Sequence, residues 1–396
     1  MEPSGRRDAL DLVIVGGGIM GLQAAFHASR LTSRVVVLEK ATIGVENTSA
    51  ASFSLTRSIR NDYLEPLYAR LAHHARRSWL ELERKAAEPF LIECGCLNLV
   101  KHSITPDPAQ AYATRSYRTL RDLHLRAEEL SRDIVRQRFP QFAVDLANLD
   151  VEAGFLYVPE VTRTLLAALR QAGVAIREGT EVTGIKRERD LIRVGTTGGD
   201  TWAASVVVTA GLGTNDLLAR VESCSVRFPL RHDRPLQCKY FIPPPAKRAT
   251  FTADVLPVFA YLDVGIYGHP IHAGRTPGVK IGFYHPPDVP ADASRIRDVH
   301  NFVDECMPGL GDAQAVDVID VDQCAYDLVS DGDFILGPLP GAAGIWVGAG
   351  WRGTGYKYAP WVGETLAQLA LQGGTVYDID RFDPFRFEGP NASETP

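Results

Sequence analysis

Leu12-Val13-Ile14-Val15-Gly16-Gly17-Gly18-Ile19-Met20-Gly21, answered by Val35-Val36-Val37-Leu38-Glu39, decides how this chain folds. Each apolar run has the length and composition of a buried parallel strand. Between them lies a helix entered through glycines. Gly16 permits the sharp turn out of the strand, Gly18 removes a side chain where a pyrophosphate must approach the backbone, and Gly21 lets helix and strand pack closely. The helix N-terminus offers free N–H groups and a partial positive charge to phosphates. Glu39 ends the second strand 21 residues after Gly18. There it can take ribose hydroxyls, and it would repel a 2′-phosphate. Strand, helix, strand and acid in register make a dinucleotide site. The motif alone does not separate FAD from NAD.

The whole chain bounds the classes that remain. Its 396 residues suffice for two lobes, and 45% hydrophobic with 23% charged residues is ordinary for a globular protein. The net charge of −6, with no long basic run, argues against a nucleic-acid partner. No apolar stretch approaches the roughly 20 residues that cross a bilayer, so no membrane partner is expected. Met1 to Ala9 is polar and leads straight into the first strand without a signal-peptide core, which predicts a cytoplasmic protein. The six cysteines need not pair in that compartment. Cys94-Gly95-Cys96 lacks a second Cys or His pair nearby, so it reads as strand cysteines and no metal site is expected.

Outward from the first motif, apolar residues recur at helical spacing from Tyr63 to Ala87 (Leu64, Leu67, Leu71, Trp79, Leu82). Phe90 to Val100 reads as a strand, residues 108–138 as polar surface helices, Gly154 to Pro159 as a strand ending in a turn, and Val161 to Gln171 as a helix stopped by Gly173. Strands follow at 174–176 and 181–185, then a hairpin of 191–198 with 201–208. Val206-Val207-Val208-Thr209-Ala210-Gly211 is a buried strand entering a second glycine turn, about 190 residues after the first. Residues 225–290 alternate apolar runs with Pro and Gly, as an antiparallel sheet does. Ile345 to Gly350 is another strand ending in glycine, and Val362 to Leu371 is a final helix. The expected architecture is α/β. A discontinuous Rossmann-like cofactor domain (9–60, 151–225 and 325–385) carries an α+β substrate domain (61–150 and 226–324) built on an antiparallel sheet, and 386–396 forms a flexible tail.

Four further segments resemble one family. Gly350-Trp351-Arg352-Gly353-Thr354-Gly355-Tyr356-Lys357 resembles the flavin loop of the monomeric sarcosine oxidase family. That family comprises FAD-dependent amine oxidases of the D-amino-acid-oxidase type, with a glutathione-reductase-type cofactor fold. It includes N-methyltryptophan, pipecolate and nikkomycin-type imino acid oxidases. Cys324-Ala325-Tyr326 resembles the segment that carries its covalent flavin, Gly278-Val279-Lys280-Ile281-Gly282 its oxygen-activating lysine segment, and Thr56-Arg57-Ser58-Ile59-Arg60 its Thr-Arg-x-x-Arg. The agreement runs from about Leu10 to Ile379.

The resemblance implies FAD, linked through Cys324, for which a thiolate is the plausible protein nucleophile. It implies that Gly16, Gly18, Gly21, Glu39, Lys40, Thr56, Arg57, Val182, Ala210, Gly211, Gly350, Gly353, Thr354, Gly355 and Lys357 surround the cofactor. Lys280 would stabilise the anion forming from O₂, with Arg57 beside the flavin ring and Tyr326 lining the substrate pocket. Arg60 and Lys357 would hold the substrate carboxylate, with Tyr267 nearby.

Phe53-Ser54-Leu55 stands where sarcosine oxidases carry a His-containing stretch, and His285 is displaced by one residue. Tyr261, Tyr267, His269 and His272 make the pocket region aromatic, which points to a larger or cyclic amino acid than sarcosine. The implied activity is oxidation of the C–N bond of a secondary or cyclic amino acid to an imine, with O₂ reduced to H₂O₂, by a monomer. The alternatives are a dehydrogenase with a non-oxygen acceptor and a cyclic imino acid oxidase making successive oxidations.

Overall fold

A computed structural model describes residues 9–45, 50–222, 224–233, 238–284, 298–318 and 325–387. In chain order the first part comprises β1 (Leu10–Val15), α1 (Ile19–Ala28), β2 (Val35–Leu38), β3 (Thr56–Ile59), α2 (Pro66–Glu83), β4 (Leu91–Ile92), β5 (Cys96–Val100), α3 (Tyr112–Asp122), β6 (Ala127–Ser131), α4 (Arg132–Arg138) and β7 (Leu146–Asp150). Then come β8 (Gly154–Tyr157), α5 (Val158–Gln171), β9 (Ala175–Arg177), β10 (Val182–Glu188), β11 (Leu191–Thr196), β12 (Thr201–Val208) and α6 (Thr214–Leu218). The last part holds β13 (Leu230–Asp233), β14 (Cys238–Ile242), β15 (Val258–Tyr261), β16 (Ile266–His269), β17 (Val279–Phe283), α7 (Val299–Cys306), β18 (Gln314–Asp317), β19 (Tyr326–Val329), β20 (Ile335–Pro338), β21 (Ile345–Ala349) and α8 (Ala359–Gln372).

Two large sheets organise these elements. In the first, β1 lies between β2 and β12, parallel to both, and β9 and β21 extend the parallel core. Its central strands β1, β2 and β12 are buried on both faces, so they read as valine-rich runs, whereas the edge strand β9 is exposed. β10 and β11 add an antiparallel edge. The second sheet runs β18-β14-β17-β16-β15-β5-β7-β6 and is antiparallel except where β15 meets β5.

Register gives the second sheet two unlike faces. Leu97, Leu99, Leu149, Phe259, Ile266 and Ile281 point into an apolar core. The alternating residues Asn98, Asn148, Asp150, Tyr267, His269 and Lys280 therefore take the opposite face.

Local chemistry corrects several expectations. The strand expected over 90–100 is two strands in different sheets, because Gly95 turns with φ +81° between them. The polar helices of 108–138 are interrupted by β6, an edge strand beside β7. β8 passes into α5 without an intervening turn, since Pro159 fits the first helical turn, where a missing N–H costs nothing. On α2, the expected Leu71, Trp79 and Leu82 are buried together with Ala75, while Leu67 is half-buried and Leu64 precedes the helix. The C-terminal end is ordered further than expected: Pro384–Phe387 form a 3₁₀ turn with Phe387 against Phe228, and residues 388–396 lie outside those described. Among the described residues, no helix is long and apolar enough to cross a membrane.

Candidate active site

The three glycines of the opening motif do different work. A Cβ on Gly16, whose φ is +111°, would meet Thr209 O at 2.4 Å, and one on Gly21 would meet Gly16 O at 1.9 Å. Both glycines are demanded by packing within the protein. Gly18 is extended, with φ −69° and ψ 176°, and its Cβ would meet only Ser52 Oγ at 3.3 Å. The space beside it opens into the cavity; Gly18 supplies no side-chain cap to α1, and Ile19 N donates to Ser52 Oγ at 3.0 Å. A helix N-terminus that opens on the cavity beside an uncrowded glycine fits a pyrophosphate. Glu39 is buried, with Oε2 accepting from Gly17 N at 2.6 Å and Oε1 from Ala41 N at 3.0 Å. A carboxylate retains further lone pairs for ribose hydroxyls. These groups fit the adenosine diphosphate part of FAD.

One cavity of about 410 Å³ joins this cradle to the face of the second sheet. Gly16, Gly18, Glu39, Lys40, Val182, Ala210 and Gly211 line one end; Thr56, Arg57, Arg60, Tyr267, Lys280, Tyr326, Gly353, Thr354, Gly355 and Lys357 line the rest. Gly21 and Gly350 shape the walls without lining them. Cys324 and His285 lie outside the described residues.

Beside the sheet, Lys280 is buried and donates to Ser54 Oγ at 3.2 Å. Across the strand pair sits His269, whose Nδ1 is 2.6 Å from Thr56 Oγ1 and whose Nε2 is 2.7 Å from Ser58 Oγ. Burial holds His269 well below the ordinary histidine range, and the cations Lys280, Arg57 and Lys357 push the same way. It is therefore a neutral imidazole, stacked on Phe155 with ring centroids 5.8 Å apart. Arg57 donates from Nη2 to Ala51 O and Phe53 O at 2.7 and 3.1 Å, which aims the guanidinium along the cavity wall it lines. Tyr326 stands edge-on to Tyr284, at 6.3 Å between centroids.

Two cations converge elsewhere in the same cavity. Arg60 lies over the Tyr63 ring at 4.7 Å, and Lys357 Nζ lies 5.7 Å from the centre of that ring. Lys357 donates to Thr354 O at 3.0 Å. Burial lowers Lys357 from the ordinary lysine value; Tyr63 opposes this and Arg60 adds to it.

Sequence reasoning placed two residues in the pocket that the fold keeps out. Tyr261 points to the opposite face of the sheet, where its hydroxyl meets Thr105 Oγ1 at 2.8 Å, and His272 packs against Phe155 and Tyr157. It missed Asp62, Cys96 and Asp327. Asp327 accepts from Gly350 N at 2.7 Å and Trp351 N at 3.2 Å, so it pins the glycine loop. Its position directly after Tyr326 was the available signal.

The model of the FAD dependent oxidoreductase family matches residues 11–369. This chain belongs to that family. It is 31% identical to the peroxisomal sarcosine oxidase of Homo sapiens, over 96% of this chain and 97% of that one. It is 26% identical to the N-methyl-L-tryptophan oxidase of Yersinia pestis (strain Pestoides F), over 95% and 99%. Among solved structures, glycine oxidase from Geobacillus kaustophilus superposes with a TM-score of 0.75 at 23% identity, covering 96% of this chain and 99% of that one. This last likeness is one of fold. The mixed α/β architecture is thus that of FAD-dependent amino acid oxidases, and the chain is an FAD-dependent oxidoreductase.

Proposed function

We propose that this oxidoreductase oxidises the C–N bond of a secondary or cyclic amino acid to an imine, with O₂ as acceptor and H₂O₂ as product. The observation that carries the reading is the sharing of the Tyr63 ring by Arg60 and Lys357, in a cavity that also holds Lys280. The names of the human and Yersinia relatives, both oxidases of N-methyl amino acids, support it.

FAD supplies the redox chemistry when bound, taking two electrons from the C–N bond and returning them to O₂. Gly18, Glu39, Lys40, Val182, Ala210 and Gly211 would hold its adenosine diphosphate part. Thr56, Arg57, Tyr326 and the 350–355 loop would border its ring. Cys324 is the proposed covalent attachment point. Arg60 offers a fork of donors and Lys357 a point charge to the substrate carboxylate. That pairing fixes which carbon faces the ring. The same cations, with Lys280 and Arg57, favour an uncharged substrate amine, because a positive field lowers an ammonium pKa. Tyr267 and Tyr284 supply an apolar wall for the side group. Lys280, oriented by Ser54, stabilises negative charge forming on O₂.

The discontinuous cofactor domain (9–60, 151–225, 325–385) with its substrate domain (61–150, 226–324) is part of this proposal. So are a monomeric state and a cytoplasmic location, although the human relative is named peroxisomal.

Anaerobic mixing of the yellow protein with N-methyl amino acids, proline, pipecolate and primary amino acids tests the function. Bleaching by secondary or cyclic members, then rapid recolouring in air, is expected. Bleaching by primary amino acids alone overturns the substrate class. Slow recolouring overturns O₂ as acceptor. Acid precipitation should leave the yellow colour with the protein, and Cys324→Ser should release it.

A further inference from the structure

Arg60 is not a bare cation. Its Nη1 lies 3.0 Å from Asp62 Oδ1 and donates to Asp62 O at 3.0 Å, with both side chains almost wholly buried. Asn98 Nδ2 donates to Asp62 Oδ2, and Tyr112 OH donates to Asp62 O at 3.2 Å, so the acid is gripped on several sides. Arg60 also lies beside Tyr112, which its guanidinium reaches as a hydrogen-bond partner. With these partners the guanidinium still lines the cavity.

Asp62 itself does not line the cavity. It can influence a ligand only through Arg60 and through its charge. Together, Arg60, Lys357 and Asp62 carry a net charge of one positive unit. Ala260 and Leu262 pack with Tyr112, over which Arg60 lies, so the cavity wall beside Arg60 offers a second carboxylate no cation from these side chains; the other cations of the cavity, Arg57 and Lys280, lie beside His269. An unpaired charge among such groups is costly.

We infer that Asp62 sets the charge of the carboxylate subsite to a single positive unit, so that the enzyme accepts N-substituted amino acids with one carboxylate and an apolar side group and rejects dicarboxylic ones. Asp62 is a positioning residue that determines specificity through Arg60. The inference rests on the proposed docking of the substrate carboxylate at Arg60 and Lys357.

Calorimetric titration of the holoprotein with butyrate and with succinate tests it. The titrations are run well below pH 7, where burial and, in the unaltered protein, the nearby Asp62 favour the protonated form of Asp150. The unaltered protein should bind butyrate at least roughly tenfold more tightly than succinate, a difference of about 1.4 kcal/mol. Asp62→Asn should tighten succinate by roughly tenfold relative to butyrate. Equal affinities in the unaltered protein overturn the inference. So does an Asp62→Asn protein that loses both ligands in proportion, since a merely structural acid would do that. If the Asn variant does not fold, Asp62→Ser and the selectivity of the unaltered protein still decide. Lys357→Met separates the layers. If it weakens both ligands while the Asp62 ratio stays fixed, only the inference about Asp62 fails. If it weakens neither, the docking reading itself fails.

Discussion

His269 Nδ1 lies 2.6 Å from Thr56 Oγ1, tying the strand that faces Lys280 to the strand that carries Arg57. The second ring nitrogen, 2.7 Å from Ser58 Oγ, completes the tie. Replacing His269 by Phe keeps the ring stack on Phe155 but leaves the buried Thr56 hydroxyl without this partner. The expected loss is about 2 kcal/mol, read as a lower urea midpoint at unchanged slope.

A buried neutral histidine also sets a pH dependence. Burial lowers His27 from 6.5 to about 4. The unfolded chain therefore binds more protons than the folded one across that interval, and stability falls as pH drops through it. His27→Gln removes the contribution. The parent's melting temperature should fall relative to the variant's as pH drops from 6.5 to about 4. Parallel curves would show that His27 does not titrate on unfolding.

Gly18 and Gly21 should separate cofactor binding from folding. Gly18→Ala adds a methyl group facing the cavity at an unstrained backbone, so the apoprotein should melt as the parent does while FAD affinity falls at least roughly tenfold. Gly21→Ala places a Cβ 1.9 Å from Gly16 O, which forces α1 off β1. It should lower the apoprotein melting temperature or prevent folding. Equal FAD affinity in Gly18→Ala would remove this glycine from the phosphate site.

Lys357 predicts an alkaline limit on ligand binding. Burial lowers its pKa from 10.5. Butyrate, which has no amine of its own, should lose affinity as pH rises toward a midpoint below that value. Lys357→Met should abolish this limb and weaken binding at neutral pH by roughly tenfold or more, with bound flavin unchanged. A pH-independent butyrate affinity in the parent would exclude Lys357 as the charge it reads.

The sequence by itself determined the cofactor half of this protein. Val13 to Val15 and Val35 to Leu38 are buried on both faces, so their composition announces parallel strands, and glycine spacing is a local property of a βαβ unit. The Gly350–Lys357 loop and the Thr56–Arg60 segment were legible for the same reason, since each is a short contiguous pattern. Tertiary structure alone decided the substrate half. Alternation on β15 and β16 cannot say which face meets the cavity, and a shift of one residue exchanges the faces. That is why Tyr261 was misplaced and Tyr267 was not. The bond from Asn98 to Asp62, and the contacts of His269 with Thr56 and Ser58, join segments far apart in the chain. Such contacts arise from packing the second sheet against β3 and the loop after it, a relation that no local pattern encodes.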